Sequence, residues 1–126
     1  MATLKSFEEL ECWQDARVLT RDVYTLLQSK GFRRDYDLLR QTRRSAVSVM
    51  ANIAEGFHRH SRRDFLKFLD YSRASLAETV SHFYVALDQG YITADDLTAV
   101  KGTAEKVGRK INALVAYLNK SNQQNQ

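Results

Sequence analysis

The feature that most constrains the fold of this chain is the absence of proline from all 126 residues. Proline breaks the interior of a helix, so a chain without it carries no obligatory stop inside a long helix. The sequence is also rich in alanine, leucine, arginine and glutamate, which favour helices. It contains only five glycines. The composition therefore predicts an all-α protein.

Two helical segments are predicted in the first half of the chain from their end signals. The first begins at a possible capping box formed by Ser6 and Glu9 and stops near Gly31. The second spans about residues 35–57.

Two further segments follow. The third begins after Ser61 as N-cap and ends where Gly90 can take the left-handed C′ conformation. The fourth begins after Thr93 as N-cap, with two acids at the positive end of the helix dipole. Long helices joined by short loops run antiparallel to their neighbours. The sequence therefore predicts an antiparallel up-down-up-down four-helix bundle as a single domain over residues 1–119, with a disordered polar tail over residues 120–126.

The first and third segments carry more large apolar residues than one buried face needs. The residues outside the main stripes are Leu10, Trp13, Tyr24, Phe68 and Tyr84. A second buried surface is most simply a subunit interface, which favours a homo-oligomer. The alternative is an irregular bundle core that uses wide faces.

The compartment is indicated by three features. The single cysteine, Cys12, excludes an internal disulfide and suits a reducing cytosol. The N-terminal residues carry acids where a signal peptide would need an apolar core. No apolar run approaches the roughly 20 residues of a membrane helix. We expect a cytoplasmic protein with no membrane partner.

No arrangement of residues predicts an active site. His58, His60 and Glu55 form the one group that invites a metal, but residues two apart on a helix point in different directions. No other histidine or cysteine lies at a zinc-finger spacing. Cys12 falls on a heptad-like apolar face, which favours a core position over a nucleophile. We expect no enzymatic activity, no metal and no cofactor.

The net charge of +4 is concentrated in residues 33–63, where eight arginines face three acids. Arginine is suited to bidentate contact with phosphate and to stacking on bases. This pattern favours a nucleic-acid-binding surface. Its predicted residues are Arg33, Arg34, Arg40, Arg43, Arg44, His58, Arg59, Arg62 and Arg63. The alternative is a solvated face with intrahelical pairs, of which Asp37–Arg40 and Glu55–Arg59 are available.

A helical wheel of the second segment shows an amphipathic helix. The apolar line contains Leu39, Ala46, Met50, Ile53 and Phe57. Arg43 projects close to that line, where an unpaired charge is costly. We therefore expect a carboxylate partner for Arg43 or a position at a subunit boundary.

Four ordered stretches carry a family resemblance: FEELECWQDARVLTRDVY, LLRQTRRSAVSVMANIAEG, SRRDFLKFLDYSRASLAE and GYIT. They resemble the four-helix-bundle proteins encoded by intervening sequences within bacterial 23S rRNA genes. The block ANIAEG at residues 51–56, between QTRRSAVS and SRRDF, is the most specific part. One departure is Ala74, where the family usually has a glycine; alanine suits a helix and leaves the fold undisturbed.

The resemblance implies a bundle that assembles as a homopentamer without known catalytic activity. A distant relative is the accessory protein of diversity-generating retroelements, also a pentameric bundle, which binds nucleic acid and a reverse transcriptase. Carried onto this chain, the motif positions are Asn52, Glu55 and Gly56. We expect Gly56 to end the helix or to admit a second backbone, and Asn52 and Glu55 to hydrogen-bond across to a neighbour. Glu55 can instead hold Arg59 or Arg63, and a pure packing and turn role is the alternative for the whole motif.

The leading interpretation is a non-enzymatic homo-oligomer that binds nucleic acid, RNA rather than DNA. The alternative is a scaffold for an acidic protein partner or for a nucleic-acid enzyme such as a reverse transcriptase. Exposed aromatic rings beside the arginines would favour the first, because bases stack on them. The candidates are Phe32, Tyr36 and Phe57.

Overall fold

The computed structural model describes the backbone of residues 4–124 and the side chains of residues 4–120. Every regular element in that part of the chain is helical, which confirms the all-α class. The elements are a 3-10 turn at Phe7–Glu9, α1 (Glu11–Leu26), α2 (Lys30–Arg34), α3 (Tyr36–Phe57), α4 (Arg62–Asp88) and α5 (Ala94–Gln124). None of the described helices combines the length and the apolarity that crossing a membrane requires.

The first predicted helix is wrong at both ends. The Ser6 side chain caps no amide, and the residues after it form only the 3-10 turn. Leu10 is extended, with φ −74° and ψ 126°, and its side chain is buried in the core. The extended backbone at Leu10, whose side chain packs into the core, separates the 3-10 turn from α1. At the other end α1 stops at Leu26, short of Gly31.

Gly31 lies inside the short helix α2, where it has no left-handed backbone. The helix begins where the Ser29 hydroxyl accepts the N–H of Phe32 and ends at Arg34. A Cβ on Gly31 would clash with the ring of Tyr91. Glycine is therefore needed at this position because the ring of Tyr91 approaches it closely. Gly31 is not the helix stop that the sequence predicted.

The other predicted helix starts are confirmed. Asp35 Oδ1 accepts the N–H of Leu38 at 3.2 Å and begins α3, and Ser61 Oγ accepts the N–H of Asp64 at the start of α4. Thr93 likewise caps α5, since its Oγ1 accepts the N–H of the residue three further on.

The C-terminus of α4 forms a Schellman motif. Gly90 has φ 75°, as predicted. The N–H of Gly90 bonds to the carbonyl of Leu87, and the N–H of Tyr91 bonds to that of Ala86. This pair of bonds satisfies carbonyls that the helix end would leave open.

The last helix enters the predicted polar tail. The backbone of α5 is helical through Gln124, so it includes residues 120–124 of the segment 120–126 for which the sequence predicts a disordered tail. The chain has no glycine or proline after Gly108 to stop the helix. Residues 125–126 lie outside the described range.

The four long helices pack in a closed order: α1 contacts α3 and α5, and α4 contacts the same two helices. Between α1 and α5, Glu11 pairs with Lys110 and Asp15 pairs with Lys106. Residues later in α1 therefore contact residues earlier in α5, as in an antiparallel pair. The core draws on every helix. Its fully buried side chains include Leu19, Phe32, Ile53, Leu69, Phe83 and Ile111.

A row of hydroxyl side chains joins α3 to α4; this hydroxyl seam consists of Ser45, Ser48, Ser72, Ser75 and Thr79. Thr79 Oγ1 lies 2.8 Å from Ser45 Oγ, and Ser75 Oγ lies 3.0 Å from Ser48 Oγ. Ser72 Oγ donates to a backbone carbonyl of α3 at 2.7 Å. Ser45, Ser72 and Thr79 are buried, whereas Ser48 and Ser75 are half-buried. Each hydroxyl of the seam has a hydrogen-bond partner, so no polar group of the seam is left unsatisfied.

The buried face of α3 differs from the predicted apolar line. Leu39, Met50 and Phe57 are only half-buried and lie at the edge of the buried face. Ala46 and Ile53 are buried as expected, but they share that face with Leu38, Thr42, Ser45, Val49 and Gly56. Thr42 can be buried because its hydroxyl donates to a carbonyl of its own helix. A wheel that scores only hydrophobicity cannot place such a residue inside.

Candidate nucleic-acid interface

Five of the predicted arginines gather where α2 meets α3. All five are exposed, and within the described part of the chain none of them forms an ion pair. These corner arginines are Arg33, Arg34, Arg40, Arg43 and Arg44. Guanidinium groups without a carboxylate partner keep all of their N–H donors available for phosphate oxygens.

The backbone that carries the corner arginines is held in place by Asp35. One carboxylate oxygen caps α3 at the N–H of Leu38, and the other accepts the phenolic O–H of Tyr91 at 2.9 Å. This second bond ties the corner to the loop between α4 and α5. The two acids nearest the arginines therefore differ: Asp35 is engaged, while Asp37 is exposed and forms no ion pair with Arg40 among the described residues. The predicted Asp37–Arg40 pair is absent.

An exposed aromatic ring lies within this cluster. Tyr36, the first residue of α3, is 61% exposed. The guanidinium carbon of Arg40, one turn further on, lies 5.5 Å from the centre of its ring. A shallow hollow is lined by Tyr36 together with Arg34, and a second hollow, which shares Asp37 with the first, is lined by Arg40 and Arg44. Of the three aromatic residues that could have marked a base-binding surface, Tyr36 is the one with this environment.

The other two aromatic candidates belong to the core. Phe32 is 0% exposed and packs against Phe83, with ring centres 5.8 Å apart. Phe57 is half-buried and meets Phe65 edge-on. Neither ring offers an open face to a base.

The second predicted cluster lies in the turn between α3 and α4 and has more internal partners. Arg59 forms an ion pair with Glu55 at 2.8 Å and lies 4.7 Å from the ring centre of Phe68. This confirms the predicted Glu55–Arg59 pair. His58 is exposed, with its ring against Phe7 and Phe57. The remaining members are Arg62, which is partly exposed, and Arg63, which is exposed.

The two clusters occupy opposite ends of α3. This helix has 22 residues, which corresponds to a length of about 33 Å at 1.5 Å per residue. The corner arginines therefore form a site that is separate from the turn between α3 and α4. They also hold the larger number of unpaired charges.

The motif residues point mainly inward. Asn52 Nδ2 donates to the carbonyl and the hydroxyl of Ser48, both at 2.9 Å, and Ser48 in turn meets Ser75 of α4. Asn52 therefore reaches the neighbouring helix through the hydroxyl seam. Gly56 is buried, and a Cβ there would lie 2.8 Å from Cβ of Phe68. Its role is close helix approach, one of the two roles expected; α3 continues past it to Phe57 and does not end in a left-handed glycine.

The residues predicted for a subunit interface fall into two groups. Leu10 and Phe68 are 4% and 8% exposed and belong to the interior of this chain. Tyr24 and Tyr84 are each 43% exposed. Trp13 is half-buried, packing edge-on against Phe7 with ring centres 5.1 Å apart. Tyr24 and Tyr84 thus remain the best placed of the five for contact with a second subunit.

Arg43 is exposed, and no described acid pairs with it. Exposure explains how the charge is tolerated beside the half-buried Leu39 and Met50. The expected carboxylate partner is not found among the described residues. The alternative, a position at a subunit boundary, stays a prediction.

The titratable residues weighed for chemistry have structural surroundings. Cys12 is 3% exposed, and burial raises the pKa of its thiol to about 11. It is therefore a core residue, as the sequence predicted. Among the described residues no three histidine, cysteine, aspartate or glutamate side chains converge as a metal site would require.

Sequence reasoning missed the bond between Asp35 and Tyr91, which fixes the corner. These residues are 56 positions apart, and no periodic pattern links them. A signal was present in Gly31: an unexplained glycine in a helical context marks a close approach. It did not identify Tyr91 as the neighbour.

Comparison with known proteins gives a family and a fold. A family model described as 23S rRNA-intervening sequence protein matches residues 8–113 of the chain. The chain is also similar to a crystal structure of a protein with unknown function from the S23 ribosomal protein family of Bacteroides thetaiotaomicron. That likeness has a TM-score of 0.74 and 19% sequence identity, and it covers 82% of this chain and 97% of the other. At this identity it shows the fold alone. No curated protein matches the chain.

Proposed function

The chain belongs to the family of 23S rRNA-intervening sequence proteins, and from that premise we propose that it is a non-enzymatic nucleic-acid-binding protein. Its ligand is RNA in preference to DNA, in line with the family's link to a ribosomal RNA gene. The corner arginines make the main contact, and the turn cluster of His58, Arg59, Arg62 and Arg63 adds a second one.

The observation that carries this proposal is the set of five exposed corner arginines that form no ion pair with another described residue. Surface arginines of a helix commonly pair with acids one turn away, as Arg59 does with Glu55. At the corner the nearby acids leave the arginines free. A concentration of like charge destabilises the monomer slightly, so a surface of this kind is better explained by a polyanionic ligand than by folding.

The proposed architecture is an up-down-up-down four-helix bundle of the long helices α1, α3, α4 and α5 that assembles as a homopentamer. The opposed contacts of α1 and α5 support the antiparallel arrangement. The exposed rings of Tyr24 and Tyr84 support self-association. With five copies the charge of +4 per chain rises about fivefold, which strengthens the attraction of a polyanion.

The test is a titration of the purified protein against structured RNA and duplex DNA at two salt concentrations. If arginines release counterions from phosphates, the logarithm of the affinity falls steeply with the logarithm of the salt concentration. The variant Arg40→Glu with Arg44→Glu should abolish binding while leaving the far-UV circular dichroism spectrum unchanged. A matched control is Arg21→Glu with Arg109→Glu, which makes the same change in charge at exposed positions of α1 and α5.

Equal loss of binding in both double variants would mean that net charge alone drives the interaction, and the corner would lose its assignment. Absence of binding by the wild-type protein at low salt would overturn the proposal. An acidic protein partner would then be the better account of the arginines.

Self-association is tested by native mass spectrometry, in which a pentamer of the 14.5 kDa chain is resolved from smaller species. Tyr24→Ser with Tyr84→Ser should shift the mass toward monomer. Tyr117→Ser is a suitable control, since Tyr117 is exposed to a similar extent, 41%, and was not predicted to lie at an interface. A wild-type monomer at micromolar concentration would contradict the oligomer.

A further inference from the structure

We propose that the ring of Tyr36 is a stacking platform for an unpaired base of the bound nucleic acid. The proposal rests on the proposed function and adds to it the class of ligand. A strand with at least one base outside a duplex, as in a loop, a bulge or a single strand, is the form that the corner recognises.

The ring of Tyr36 is open to solvent. At 61% exposed, Tyr36 is the most exposed of the large apolar and aromatic side chains described. A single exposed ring needs no explanation by itself. Here, however, the ring is placed on a rigid support, because Asp35 caps α3 and is in turn held by Tyr91. Tyrosine loses little conformational entropy on binding, so an already positioned ring makes an efficient contact.

A guanidinium group lies beside the ring of Tyr36. Arg40 lies 5.5 Å from the ring centre and forms no ion pair with a described residue. Arginine next to an aromatic face is the combination with which proteins bind single-stranded nucleic acid: the aromatic ring stacks the base, and the guanidinium neutralises phosphate or stacks in its turn. The exposed ring of Tyr84 has a lysine, Lys101, at the same distance, but no described contact places an arginine beside Tyr24, Tyr84 or Tyr117.

Charged and amide side chains lie near the ring of Tyr36. One hollow beside Tyr36 is lined by Arg34, Asp37 and Gln89, and the adjoining one by Asp37, Arg40, Gln41 and Arg44. Tyr36 itself lines the first hollow, and Asp37 lines both, so cations for phosphates and carboxylate or amide groups for a base edge lie near the ring. A carboxylate would repel a phosphate, so the position of Asp37 is better matched to the amino group of a base.

The preference for an unpaired base follows from access. Within a duplex both faces of each base are covered by its neighbours, and a surface tyrosine cannot stack on them. Sequence-tolerant contacts in single strands, in contrast, use the open face of the base. The corner arginines alone would hold either form, whereas the ring discriminates between them.

The test compares Tyr36→Ala, Tyr36→Phe and the control Tyr117→Ala on three labelled probes. The probes are a short single-stranded oligouridylate, the same strand with abasic sugars, and an RNA duplex of equal length. Tyr36→Ala should weaken binding of the oligouridylate about tenfold and leave the abasic strand and the duplex within about twofold. Tyr36→Phe should retain the affinity, because it keeps the ring.

Each other result is informative. An equal loss on all three probes would overturn the platform, since the ring would then only position the arginines. An unchanged affinity for the oligouridylate would also overturn it, while binding that still depends on Arg40 and Arg44 would leave the proposed function standing. Failure of the wild-type protein to bind any probe would contradict both.

Discussion

The phenolic O–H of Tyr91 donates a hydrogen bond to Oδ2 of Asp35, with the two oxygens 2.9 Å apart. The other carboxylate oxygen of Asp35 caps α3 at the N–H of Leu38. A single aspartate therefore begins the helix that carries the arginines and anchors it to the loop between α4 and α5. Gly31 completes the arrangement, because the ring of Tyr91 occupies the space that a Cβ would take.

Replacement of the two partners should give graded losses of stability. Tyr91→Phe removes one hydrogen bond and should lower the free energy of unfolding by less than the loss of the whole Asp35 side chain does. Asp35→Ala also removes the helix cap, so the loss should reach about 2 kcal/mol. Urea unfolding followed by circular dichroism measures both. Equal values for the two variants would show that the cap contributes nothing beyond the bond to Tyr91.

The same bond predicts a decline of stability at alkaline pH. The hydrogen bond to Asp35, followed by desolvation, raises the pKa of Tyr91 above its ordinary value. A group whose pKa is higher in the folded state contributes stability below its unfolded pKa, about 10 for tyrosine, and loses it as the pH rises through the folded value. Between these two pKa values the wild type should lose stability faster than Tyr91→Phe. Parallel pH profiles for the two proteins would contradict the linkage.

Gly56 of the ANIAEG block should resist substitution for reasons of packing. A Cβ there would lie 2.8 Å from Phe68 Cβ and 2.9 Å from Phe65 Cδ1. Although alanine has the better helix propensity, Gly56→Ala should destabilise the protein by about 1–3 kcal/mol through overpacking. Thermal unfolding tests this value.

Gly102 of α5 supplies the matched control, because a Cβ on it would meet nothing within 4 Å. Gly102→Ala should stabilise the protein by up to about 1 kcal/mol. If Gly56→Ala were stabilising to the same degree, the contact between α3 and α4 would be looser than the structure shows.

Helix ends were predictable from the sequence where one side chain decides them. Asp35, Ser61 and Thr93 each cap the helix that follows, and Gly90 ends α4 by its own conformational freedom. These are local interactions, so their signals lie within a few residues. The start of α1 was not predictable in this way, because the position of Leu10 is set by the core into which it packs.

The composition of the candidate site was also predictable, and so was the local Glu55–Arg59 pair, but the engagement of Asp35 was not. Eight arginines against three acids identify the segment. Glu55 binds Arg59 four residues away, which a local pattern can indicate. Asp35 is held by Tyr91, which is 56 residues away, and no local pattern indicates that bond. The sequence likewise gives no reason to expect different exposure for Phe32 and Tyr36. In the structure Phe32 is buried against Phe83, whereas Tyr36 is exposed.

The thiol of Cys12 should be inert in the folded protein. It is 3% exposed, and burial raises its pKa to about 11. The thiolate is the reactive form. At pH 8 only about one Cys12 thiol in a thousand is ionised, against roughly a quarter of the thiols of a free cysteine with a pKa near 8.5. Iodoacetamide should therefore label the native protein at least a hundredfold more slowly than the same protein in denaturant. Labelling of the native protein at the rate of glutathione would show that the core opens at this position without global unfolding.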